Sequence, residues 1–246
     1  EAPPVAADVS PPIESGSTTV RLLVLRWLFL VAVTVFAFHK TLASLLESTI
    51  EGSLNGFVWM VPLATVVAAI GVARRERTEL PIHDRQTDII VGGLGLGLAV
   101  MLQAILLQRY SLYFDLLRID IAAMWFFITS GTVLLFGLRP VIRFGWAFTV
   151  MVCMLPVFYQ LAVIFFGGNR ASAGVATVGI AAFATAVSVG RTPARALVGA
   201  IVTVLVGATV LVPITVFAPN TPLFVYQMVP ATSAMVIAGV GLYLYS

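Results

Sequence analysis

Leu54-Asn55-Gly56-Phe57-Val58-Trp59-Met60-Val61-Pro62-Leu63-Ala64-Thr65-Val66-Val67-Ala68-Ala69-Ile70-Gly71-Val72-Ala73, closed by Arg74-Arg75-Glu76-Arg77, decides how this chain is read. The run carries no charge, and then four charged residues arrive together. Wound as a helix at about 1.5 Å per residue, it reaches across a hydrocarbon core of about 30 Å. A membrane strand is excluded, because it would alternate apolar and polar positions over only about 10 residues.

The same pattern recurs along the chain. Apolar runs cover Leu22–Ala43, Leu54–Ala73, Ile89–Leu107, Ile119–Leu138, Phe144–Phe166, Ala171–Val189, Ala194–Phe217 and Leu223–Tyr245. Of 246 residues, 60% are hydrophobic and 10% charged, and the mean hydropathy is +1.04. That is too little charge for a water-facing surface, so the lipid bilayer is the expected solvent. The fold implied is all-α: a polytopic transmembrane bundle of about eight helices. A Pro-rich tail occupies residues 1–20 and a single helical domain residues 21–246. The chain starts at Glu1 without Met, as a processed or trimmed product would, and the tail has no apolar signal-peptide core.

Orientation follows from Lys and Arg. Arg21, Arg26, Arg74, Arg75, Arg77, Arg85, Arg139, Arg143, Arg191 and Arg195 fall on the side of the termini, against Lys40, Arg109, Arg118 and Arg170 opposite. Ten against four places both termini in the cytoplasm of a cell (inner or plasma) membrane. The outer face then collects His39, Glu47, Glu51, Asn55, Asp115, Arg118, Asp120, Asn169, Arg170 and Asn220. Gln103, Tyr159, Gln160, Tyr226 and Gln227 lie one or two turns below it. Polar groups at that depth need a partner or a wet cavity. Two readings stay open: a polar pocket on the outer face, or interfacial polarity with interhelical hydrogen bonds.

Several chemistries are disfavoured. No Asp, Glu, Lys or Arg sits mid-span, where proton relays and ion-coupled pumps place one. Gly92-Gly93-Leu94-Gly95-Leu96-Gly97 has neither the register nor the strand–helix context of a nucleotide loop, and suits close helix packing. Gly174, Gly179, Ala182 and Ala186 place the sixth run near the bundle centre by the same logic. Cys153, beside Met151 and Met154, reads as a small core hydrophobe and a poor nucleophile. The two histidines, His39 and His83, fall on opposite sides, so no metal and no cofactor are expected. Nucleic-acid binding lacks a basic, aromatic-studded soluble face.

Gly56-Phe57-Val58-Trp59-Met60-Val61-Pro62, Ala73-Arg74-Arg75-Glu76-Arg77, Phe136-Gly137-Leu138-Arg139-Pro140-Val141-Ile142-Arg143-Phe144 and Met154-Leu155-Pro156 together resemble segments of the exosortase/archaeosortase family. These are multi-spanning cysteine transpeptidases of the cell envelope. The likeness covers most of Gly56–Phe217 as a pattern of short motifs, and eight spans with cytoplasmic termini agree with it. The family carries its nucleophile in a Cys-x-Gly motif at the outer end of the sixth span, followed by an Arg and a His. Here that stretch reads Gly168-Asn169-Arg170-Ala171-Ser172-Ala173-Gly174, the seventh span ends Thr215-Val216-Phe217-Ala218-Pro219-Asn220, and no histidine follows His83. The resemblance therefore implies a member without the transpeptidase machinery.

Three functions follow. The first is a non-catalytic subunit of a larger cell-envelope or membrane complex, meeting other membrane proteins in part through the tail Glu1–Thr19. The second is an envelope-processing enzyme of transpeptidase or peptidase type. Its candidate residues at the outer face are Arg170, Asn169, Asp120, Arg118 and Glu51, with Asn55 beside them. The third is a lipid or small-molecule permease or flippase subunit.

Overall fold

The computed structural model describes residues 16–75, 85–109 and 117–245, with side chains placed from 21 to 241 within those stretches. The tail up to residue 15, Glu76, Arg77, His83 and Asp115 lie outside the described residues. Everything regular among the described residues is helical. In chain order the helices are α1 (Gly16–Ala37), α2 (His39–Ile50), α3 (Met60–Ala73), α4 (Arg85–Met101), α5 (Ile119–Phe136), α6 (Leu138–Arg143), α7 (Gly145–Val152), α8 (Pro156–Phe165), α9 (Arg170–Val189), α10 (Pro193–Phe217) and α11 (Leu223–Tyr245). A 3-10 turn, Leu54–Trp59, leads into α3, and α4 runs on through a π-helical turn, Leu102–Leu106, to Arg109.

Among the described residues six stretches are long and apolar enough to cross a membrane as single helices, and the number is eight if each of two bent pairs is one span. The protein is a multi-pass membrane protein. The bends correct two expected spans. The run Leu22–Ala43 is not one helix: the chain turns by 73° between α1 and α2. Phe38 takes φ −111° and ψ 23° at the turn, and His39 Nδ1 lies 2.9 Å from the Phe36 carbonyl, competing for a backbone acceptor. The run Phe144–Phe166 breaks by 66° between α7 and α8. Here Pro156 is the cause: it offers no N–H and holds Leu155 extended, at φ −69° and ψ 118°. Cys153 consequently sits half-buried at a break rather than inside a helix. Pro213 and Pro230, by contrast, stay inside continuous helices. The run Ile119–Leu138 ends two residues early, where Gly137 adopts φ +94°, a conformation open to glycine, and turns the chain into α6.

α9 is the axis of the bundle. Of its spanning stretch 67% is buried, against 11% for α4. It packs on α3, α7, α8, α10 and α11, whereas α5 packs on α1, α4, α6 and α7. Small residues permit the close approach. A Cβ on Gly71 of α3 would fall on the backbone of Ser188 in α9, and one on Gly174 of α9 would lie 2.9 Å from the Tyr226 carbonyl of α11. On Gly207 of α10 it would meet Val178 at 2.6 Å. Gly179, expected in the same interface, faces open space. The α4 glycines divide likewise: Gly92 and Gly95 seat against Leu134 and Ser130 of α5, while Gly93 and Gly97 touch nothing.

Hydrogen bonds tie one end of the bundle together. Arg75 donates to the Val187 carbonyl, Arg143 Nη2 to the Arg75 carbonyl at 2.7 Å, and the Leu138 N–H to Asp88 Oδ1 at 2.7 Å. The C-terminal ends of α3, α5 and α9 therefore meet there, and Arg118 and Asn169 mark the opposite end. Close packing predicts a sharp contrast in a detergent melting series. Gly71→Val should cost about 1–3 kcal/mol through overpacking against Ser188. Gly93→Val should stay within about 0.5 kcal/mol of wild type.

Candidate functional site

At the Arg118 end two polar groupings form on different helices. The first begins at Arg118, which precedes α5 at φ +40°, a left-handed conformation that costs a residue other than glycine about 1–3 kcal/mol. The conformation folds its guanidinium back onto Asp120. Arg118 Nε donates to Oδ1 at 3.1 Å and Nη2 to Oδ2 at 2.9 Å, a two-pronged pair with both side chains at most 2% exposed. Buried charges need such partners, and the fork supplies two bonds to each side chain.

The second grouping joins the Leu54–Trp59 turn to α8 and α11. Gln227 is fully buried, and its amide nitrogen donates to the Leu54 carbonyl at 2.8 Å and to the Tyr159 hydroxyl at 3.0 Å. The Tyr159 hydroxyl donates in turn to the Ala173 carbonyl at 3.0 Å, and its ring stacks on Phe57 with centroids 3.8 Å apart. Ser53 caps the turn through the Asn55 N–H, and Trp59 Nε1 donates to Thr49 Oγ1 at 3.0 Å, which holds α2 over it. The Gln227 carbonyl oxygen packs against Gly56, where a side chain would come within 2.7 Å of it.

The remaining candidates hold helix ends. Asn169 accepts from the Ser172 N–H at 2.8 Å while Ser172 Oγ receives the Asn169 N–H at 2.8 Å, a reciprocal N-cap for α9. Arg170 reaches the carbonyls of Pro219 and Thr221 at 3.2 and 3.3 Å, pinning α9 to the loop before α11. Glu51 is exposed at the end of α2, as are His39, Glu47 and Asn220. Arg118 and Asp120 are thus brought together, as are Asn169 and Arg170, but the two pairs stand on α5 and α9, which share α7 as a neighbour and otherwise pack on different helices. Asn55 is buried in the turn near Gln227. Among the described residues no three of His, Cys, Asp and Glu gather as a metal-binding group.

Tyr159, Tyr226 and Gln227, named as residues below the outer face, are all buried, and the Tyr159–Gln227 pair makes hydrogen bonds between helices. Asp88 was missed by the sequence reading. It is 5% exposed and fixes the start of α6 across 50 residues of chain, a separation that no local pattern could show. Comparison of the chain with protein-family models, with curated proteins and with solved structures finds no match.

Two substitutions separate architecture from chemistry. Asp120→Ala should cost about 1–3 kcal/mol in a detergent melt, because the buried Arg118 loses two charge-assisted hydrogen bonds to the carboxylate. Gln227→Leu should cost about 1–3 kcal/mol, because the Leu54 carbonyl loses its donor.

Proposed function

We propose that this chain is a non-catalytic subunit of a larger membrane complex, an exosortase-like bundle without a nucleophile at the site where that family keeps one. One observation carries the reading: of the candidate catalytic residues, all but the exposed Glu51 are engaged in holding helix ends. Arg118 holds Asp120, Asn169 caps α9, and Arg170 binds the loop carbonyls of Pro219 and Thr221. The sole cysteine lies at the α7–α8 break, remote in sequence from the Asn169 cap.

The basic residues, concentrated at the Arg75 end, support a cell membrane with that end and both termini in the cytoplasm. The flanks support a partnered role. Phe36, Phe165 and Phe217 are each more than 80% exposed, and α4 presents nearly its whole circumference. Away from the Gly92 and Gly95 face that seats on α5, partner helices would find an apolar surface marked by Gly93 and Gly97.

Extraction from native membranes in a mild detergent tests this. The tagged chain should elute with other membrane proteins, and Arg170→Ala should leave that association intact. A monodisperse particle containing only the 26.2 kDa chain would overturn the proposal.

A further inference from the structure

We infer that the junction of α3, α6 and α9 binds the headgroup of an anionic phospholipid. The inference starts from two arginines, Arg75 and Arg143, joined through the Arg75 carbonyl. Arg75 donates through Nη2 to the Val187 carbonyl, but its Nε is buried with no hydrogen-bond partner. Arg143 spends one donor on the Arg75 carbonyl, at 2.7 Å, and packs its charge 5.8 Å from the Phe144 ring centroid. A guanidinium has five N–H donors, so most of Arg143 is unspent. Among the described residues these two arginines meet only carbonyls and a ring, which suits an anion, and a phosphate offers the acceptor oxygens that such forks match.

The surroundings select a lipid as its source. α6 is a short helix between two spans, with Arg139 exposed on it. Ile142 on the same helix is 68% exposed and Trp146, at the start of α7, is 61% exposed. A tryptophan and an aliphatic side chain beside arginines at a span end match the boundary where headgroups meet acyl chains. A soluble anion would gain nothing from the apolar pair, whereas a phospholipid would use both parts. The charge balance agrees. By the sequence assignment of sides, this end carries ten arginines against Glu76, Glu79, Asp84 and Asp88 outside the tail. Basic pockets between membrane helices are suited to anionic headgroups.

The test is native mass spectrometry of the intact chain after reconstitution with dioleoylphosphatidylglycerol in a dioleoylphosphatidylcholine background. Wild type should retain phosphatidylglycerol in preference to phosphatidylcholine. Arg143→Gln, which keeps a donor for the Arg75 carbonyl, should lower that retention about fivefold, the factor one interfacial cation contributes. Arg143→Lys should retain more than Arg143→Gln. Should Arg143→Gln fail to fold, the exposed Arg139→Gln provides the second reading, again with reduced retention. Equal retention of the two lipids, or unchanged retention in both glutamine variants, would overturn the inference. So would displacement of the lipid by inorganic phosphate alone, which would mark a soluble-anion site, or by an acidic protein segment.

Discussion

An apolar side chain gains nothing by leaving lipid for the interior of a helix bundle, so the force that folds water-soluble cores is absent between membrane helices. What remains is contact: helices must come close enough for dispersion and for short polar bonds to hold them. This chain meets that constraint mainly through α9. Ala173, Ala181, Ala184, Thr177 and Thr185 are fully buried, and their small volume lets four or more neighbours reach the same axis. Gly71, Gly174 and Gly207 complete the approach from α3, α9 itself and α10. Threonine hydroxyls inside α9 bond back to its own carbonyls, Thr185 to Ala181 at 2.9 Å, so the polar atoms exact no penalty.

Polar bonds then fix the ends that packing alone leaves free to slide. At one end Arg75 and Arg143 join α3, α6 and α9, while Asp88 catches the start of α6. At the other, Gln227 ties α11 to the turn before α3 and to α8, and Arg170 ties α9 to the loop before α11. The Arg118–Asp120 pair works on a single helix start, holding Arg118 in its left-handed conformation. These contacts explain why polar residues cluster near span ends without requiring that they meet a substrate.

Much of this was legible in the sequence, and the misses have causes. Length and continuous apolarity gave α9, α10 and α11 to within a residue, and the run Leu54–Ala73 except that its first six residues form a 3-10 turn before α3, because lipid filters those properties directly. The breaks were not legible. Pro156 splits a span while Pro213 and Pro230 do not, and the difference depends on what surrounds each proline. The α1–α2 turn has no proline or glycine to announce it. Glycine composition predicted close packing on α4 and α9, but whether Gly92 or Gly93 faces a neighbour depends on helix rotation. The outer polar residues were identified by type and depth, yet their pairing was not, since Tyr159 and Gln227 are 68 positions apart.

The account stands or falls on α9 being enclosed except along one narrow stripe. Val175 and Gly179, one turn apart, open outward, while Ala173, Ala176, Ala181 and Ala184 are enclosed. The direct measurement is a leucine scan along Arg170–Val189, read as the fraction of protein that remains monodisperse in detergent after heating. Leucine at Ala173, Ala181 and Ala184 should abolish the folded fraction, and leucine at Val175 and Gly179 should leave it near wild type. Uniform tolerance along the helix, or a sensitive face centred on Val175 and Gly179, would contradict the central place given to α9.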